Sequence, residues 1–236
     1  MNFSPQLSNG VAIFMSLFAA AMWGTWFISL KYLKDYPIQA FIMTLFATSL
    51  VLVWGVGFIL DGKALLGNIR DVYLVKSSCI WITFVCGILY VIGMSLSMTV
   101  LKTIGLSLSQ PIQSSVNILA GTLVSGLVGG MPENISMSKM FIAIAFLLAA
   151  VVMSVIAGNL RIKAQDQGQT QSDLSFTKKE LVKSLGLIAF ASLFVPSYTL
   201  AISYGLKSTT HADGLAVMPF MVLLASGAFV GAFLAN

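Results

Sequence analysis

Seven apolar runs, each about the 20 residues needed to cross a bilayer as a helix, carry no Asp, Glu, Lys or Arg near their centres. They occupy 11–33, 38–60, 78–101, 104–128, 140–160, 185–206 and 214–234. Hydrophobic residues make up 58% of the chain and charged residues only 9%, a balance outside the soluble globular range. In lipid a backbone must satisfy its own hydrogen bonds, and a helix does so within one segment. The expected fold is therefore an all-α polytopic membrane protein with seven transmembrane helices. The decapeptide before the first run has no Lys or Arg, so it lacks the start of a secretory signal, and the first helix is expected to be retained.

The polar segments between runs set the topology. Only Lys102 and Thr103 separate the third and fourth runs, so those helices are expected to be antiparallel neighbours. The stretch 61–77 reads as a loop of mixed charge, and 161–184, rich in Gln and Ser, reads as a solvated linker. Eight Lys and Arg residues fall on the linker's side (Lys31, Lys34, Lys102, Arg161, Lys163, Lys178, Lys179, Lys183). Five fall on the other: Lys63, Arg70, Lys76, Lys139 and Lys207. Positive charge collects on the cytoplasmic side, which predicts a cytoplasmic linker and an external N-terminus in a plasma or inner membrane. The net charge of +5 thus belongs to membrane orientation, and nucleic acid is not an expected partner.

The stretch 104–130 is the exception among the apolar runs, because Gln110, Pro111, Gln113, Ser114 and Asn117 lie near its middle. An unpaired amide in hydrocarbon costs several kcal/mol, so these groups are expected to face protein, water or ligand. With Ser107 and Gly121 they fall on one helical face. Polar or aromatic groups on three other runs extend the pattern. The first run has Trp23, Thr25 and Trp26 beside Gly24, which is expected to loosen the helix at mid-membrane. The third places Cys86, Tyr90, Gly93 and Ser97 on one face. The sixth places Ser192, Pro196, Thr199 and Ser203 on another, with Ser197 and Tyr198 at the proline break. The expected substrate-binding set is Trp23, Thr25, Trp26, Tyr90, Ser97, Gln110, Gln113, Ser114, Asn117, Ser197 and Tyr198. Gly126 with Gly130, and Gly227 with Gly231, have the spacing of close helix contacts and are read as packing positions.

Catalysis has little to work with. His211 is the only histidine, every acidic residue lies in a loop or at a helix end, and the serines of the fourth run lack a nucleophile elbow. No cofactor is expected, and no cluster has metal-ligand spacing. Cys79 and Cys86 lie two turns apart on one helix, roughly 10 Å by helix rise and too far to bridge. A retinal photoreceptor would need a lysine in its last helix, and 214–236 has none. A membrane core without formal charge suits a neutral polar solute such as a sugar or nitrogenous heterocycle. The alternative is a membrane scaffold or assembly protein whose polar faces only join helices, and association with a second copy is compatible with either.

Trp23-Gly24-Thr25-Trp26, Ser29 and Lys34 in the first run have weak counterparts in Val195-Pro196-Ser197-Tyr198, Ser203 and Lys207 in the sixth. A five-helix unit copied in opposite orientation would produce this, as in many transporters. The chain then consists of a first repeat (1–160), the linker (161–184) and the first two helices of a second repeat (185–236). A complete second copy would need three further helices, from a longer protein or from another chain. Trp23-Gly24-Thr25-Trp26, the run Gly105-Leu106-Ser107-Leu108-Ser109-Gln110-Pro111-Ile112-Gln113 and Gly121-Thr122-Leu123 resemble the drug/metabolite transporter superfamily, and within it the glucose, rhamnose and ureide uptake branches. That resemblance implies two inverted five-helix repeats and a cavity open alternately to each side. Helices one, three, four and six and their partners in the second repeat would line it.

Overall fold

The computed structural model describes residues 9–32, 36–128, 137–166, 178–208 and 212–236. Among them every regular element is an α-helix: α1 (Asn9–Tyr32), α2 (Ile38–Asp61), α3 (Lys63–Ile104), α4 (Leu106–Val128), α5 (Met137–Asp166), α6 (Lys178–Ala191), α7 (Ser197–Gly205) and α8 (Val217–Leu234). Of these, α2, α3, α4 and α8 are long and apolar enough to cross a membrane. Shorter apolar stretches, Gly10–Met22, Phe141–Ala150 and Val182–Ala191, lie within α1, α5 and α6. Four membrane-length helices thus stand among the described residues where seven spans were expected.

By its internal contacts the chain divides after Pro37, into Met1–Pro37 and Ile38–Asn236. The first unit holds α1, which runs through Gly24 without interruption. A helical glycine costs only about 1 kcal/mol relative to alanine, so it need not break a helix. The backbone parallel between the first and sixth runs therefore ends here, since the sixth does break. Of the expected linker 161–184, residues 161–166 continue α5 and 178–184 open α6, while 167–177 lie outside the described residues.

The second unit is built around α3, which touches α2, α4, α6, α7 and, most extensively, α8. Glycines let α3 and α8 meet backbone to backbone. A Cβ on Gly87 would stand 2.9 Å from the amide of Ala228, and one on Gly231 would stand 2.6 Å from the carbonyl of Ile88. A Cβ on Gly227 would overlap the carbonyl of Phe84. Phe84 with Gly227 and Ile88 with Gly231 keep a constant offset, so the two helices run parallel. Gly227 and Gly231 are the close contacts their spacing suggests. Gly126 meets nothing within 4 Å, and Gly130 lies outside the described residues. On the other face of α8, Trp54 Nε1 donates to Ser226 Oγ at 3.1 Å, and Gly57 lies against Val222. That register makes α2 and α8 antiparallel.

The stretch 61–77, expected as a loop, is mostly the first arm of α3. Its mixed charge hides a helical period: Leu65 and Val72 are buried, Asn68 and Ile69 half-buried, and the other residues of 63–75 face outward. Gly62, at φ 54°, permits the reversal that follows α2. At Lys76 the backbone leaves the helix (φ −150°, ψ 71°). The arm does not continue the line of α3. Leu65 and Val222 both lie against Gly57, whereas the α3–α8 register sets Val222 level with Cys79. Residues 65 and 79 would be roughly 21 Å apart on a straight helix. The arm therefore turns at Lys76 and crosses the ends of α2 and α8.

In that position Asn68 Oδ1 accepts the N–H of Ala216, the residue that caps α8, at 3.1 Å. The bond satisfies a donor at the start of a helix that has no side-chain cap of its own. Asn68→Ala is expected to lower stability by about 1 kcal/mol, as loss of a helix cap does, measured by thermal unfolding in detergent.

Candidate functional site

The third and fourth runs form the expected hairpin, with Gly105 as its only non-helical residue. Gly105 adopts φ 77° and ψ 162°, a conformation that side chains with a Cβ rarely reach. Gln113 Nε2 donates to the carbonyl of Ser97 at 3.1 Å. These residues lie equally far on either side of Gly105, which sets the register: Asn117 falls level with Gly93.

The sixth run, expected as one span interrupted at Pro196, is two helices. α6 ends at Ala191, Ser192–Pro196 form successive turns, and α7 starts at Ser197. Proline lacks the N–H that would continue the ladder, and its ring crowds the preceding turn. Both pieces follow α3 antiparallel. Ile188 packs with Val100 and Ile104, and at the other end Ser78 Oγ and Tyr204 OH are hydrogen-bonded at 3.1 Å. The break lies opposite Gly93, where a Cβ would be 2.8 Å from Phe194 Cβ and 2.9 Å from Val195 N. A glycine on α3 thus makes room for the irregular turn.

Several expected site residues meet at this level. The rings of Tyr90 and Tyr198 lie 5.6 Å apart at 44°. Ser197 is buried, and its Oγ donates to the carbonyl of Cys86 at 3.0 Å. On the α4 side, Gly121 packs against Thr199 Oγ1, and Ser203 Oγ donates to Ser125 Oγ at 3.3 Å. Gln113 is buried and gives a second hydrogen bond to Ser109 Oγ at 2.5 Å. Gln110 Nε2 donates to Ser114 Oγ at 3.2 Å, and Asn117 is half-buried. Tyr90, Ser197 and Tyr198 therefore line the seam of α3 with α7, Gln113 and the Ser97 carbonyl that of α3 with α4, and Asn117 stands level with Gly93 by register alone. Gln110 and Ser114 lie on the same helix but pair with each other.

Trp23, Thr25 and Trp26 belong to the other unit. Thr25 is exposed and donates to the carbonyl of Met22 at 2.9 Å, and the side chains of Trp23 and Trp26 lie outside the described residues. Ser192 Oγ, in the turn after α6, donates back to the carbonyl of Ala189 in the last turn of that helix at 2.7 Å. Ser109 was not among the expected residues, yet it is fully buried beneath Gln113. Its place four residues before Gln113 on one helix was the available signal. Cys79 and Cys86 are both free and buried.

Chemically the seam offers amides, hydroxyls and two phenol rings without a formal charge. Such groups orient a neutral polar molecule by hydrogen bonds and ring contact. Comparison with protein-family models, with curated proteins and with solved structures finds no match. The class that the fold defines is an all-helical chain with several helices long and apolar enough to be embedded in a membrane.

Proposed function

We propose that the chain is an integral membrane transporter of a small, polar, largely uncharged solute, such as a sugar, a nitrogenous heterocycle or a ureide. The observation that carries this reading is the break between α6 and α7 at the level of Tyr90, Gly93 and Asn117. Irregular backbone at membrane depth is tolerated where it is buried in protein or lines a cavity, and transporters place it beside their solute. The motif likeness to the drug/metabolite transporter superfamily points the same way, as do the uncharged donors of the seam. The solute would contact Asn117 and the Tyr90–Tyr198 pair, while Gln113 and Ser197 hold the helices that carry them. Alternating access would follow from movement across this seam, with seven spans and the linker on the cytoplasmic side.

The test is uptake of labelled sugars, purines and ureides by proteoliposomes that hold the purified chain. Asn117→Leu and Tyr198→Leu are each expected to cut uptake about tenfold, the worth of one good hydrogen bond to the solute, with normal insertion. Unchanged uptake in both variants would overturn the assignment.

One observation favours a scaffold instead. Gln113 is bound to Ser97 and Ser109, Ser197 to Cys86, and Ser203 to Ser125, so much of the seam is occupied by helix-to-helix ties. A scaffold would bind none of the tested solutes, and its loss would be seen as loss of a partner chain.

A further inference from the structure

The first arm of α3 carries an outward face on which basic and apolar residues lie side by side. Lys63 and Arg70, seven residues apart, share one helical row and are both exposed. Leu66 and Tyr73 form the adjoining row, at 51% and 52% exposure. Asp71 lies on the far side of the basic row. Apolar flank, basic row and acidic edge follow one another around the helix, with Leu74 (72% exposed) beside the basic row and Val75 (74%) beyond Asp71. Three of the five basic residues on this side of the chain, Lys63, Arg70 and Lys76, lie along the arm. Lys76 is engaged at the kink, its Nζ 4.7 Å from the centre of the Tyr204 ring, which leaves Lys63 and Arg70 as the outward pair.

Position gives this face its partner. The arm begins one residue after α2 ends, and its middle holds the first N–H of α8. Both are membrane-length helices, and they run antiparallel, so these two ends are level. A helix that crosses the ends of spans lies where hydrocarbon gives way to headgroups. There Leu and Tyr reach inward while Lys and Arg meet phosphate.

We infer that the arm Lys63–Val75 is an interfacial helix that binds anionic phospholipid headgroups through Lys63 and Arg70, with Leu66 and Tyr73 seated in the acyl boundary. The site rests on membrane embedding of α2 and α8 and is independent of solute transport, so failure of either leaves the other standing. The detergent-solubilised full chain, incubated with phosphatidylglycerol and phosphatidylcholine, is expected to retain the anionic lipid preferentially in native mass spectrometry. Lys63→Gln and Arg70→Gln each reduce that preference about fivefold, and Lys102→Gln, at the other end of α3, leaves it unchanged. Equal retention by the Lys63→Gln/Arg70→Gln double variant, or an equal loss from Lys102→Gln, overturns the inference. The native cysteines are buried, so a nitroxide can be placed selectively at Tyr73→Cys or Asp71→Cys in lipid nanodiscs. Accessibility to oxygen at position 73 and to a water-soluble nickel chelate at 71 supports the arrangement; equal nickel accessibility at both refutes it.

Discussion

Gly227→Val is expected to cost about 3 kcal/mol or more and to lower the unfolding temperature in detergent by roughly 10 °C. Its added Cβ overlaps the carbonyl of Phe84, and the carbons nearest that oxygen are backbone as well, so no side chain can swing aside. Relief would require separating α3 from α8, which would also disturb Gly87 against Leu224 and Ala228, and Gly231 against Ile88. Helices in lipid gain little from burying apolar surface, because the acyl chains are equally apolar; close packing must hold them together. Gly126→Val is the control. Nothing stands within 4 Å of the position its Cβ would take, and its unfolding temperature is expected to stay near that of the unaltered chain. Equal behaviour of the two variants would disprove the backbone contact.

Gln113→Leu is expected to have the second largest effect, a loss of about 1–3 kcal/mol. The substitution removes the donor that meets both the Ser97 carbonyl and Ser109 Oγ, and it leaves a fully buried hydroxyl without that partner. Because the bond to Ser97 ties α4 back onto α3, amide exchange along both helices should rise in the variant. Asn117→Leu, one turn further on, should leave stability within about 0.5 kcal/mol of the original, since a half-buried position away from such a tie is tolerant. Paired unfolding and uptake measurements separate the roles. Gln113→Leu is expected to lower both quantities, and Asn117→Leu uptake alone.

Gln110, Gln113, Ser114 and Asn117 could be placed on one helical face from their spacing, because that periodicity is local. Their partners could not. Gln110 turns to Ser114 four residues on, whereas Gln113 reaches Ser97 across the hairpin, and spacing assigns both the same helical face. The two glycine pairs make the same point. Gly126 and Gly227 begin identical G-x-x-x-G spacings, but only Gly227 has another helix against it. In 61–77, charges of both signs obscured the period of Leu65, Ile69 and Val72, whose burial depends on α2 and α8 lying beneath them.

What the sequence determined by itself is the helical class, the apolar stretches, the tight succession of the third and fourth helices and the proline break. These follow from forces that act within a turn or two, such as backbone hydrogen bonding without water and the missing N–H of Pro196, whereas the turn itself falls at Gly105 rather than at Lys102 and Thr103. What only the tertiary structure decided is which polar groups join helices, which glycine touches a neighbour, and where the first arm of α3 lies. Those depend on residues far apart in the chain, such as Asn68 with Ala216 and Ser197 with Cys86, which register and packing alone bring together.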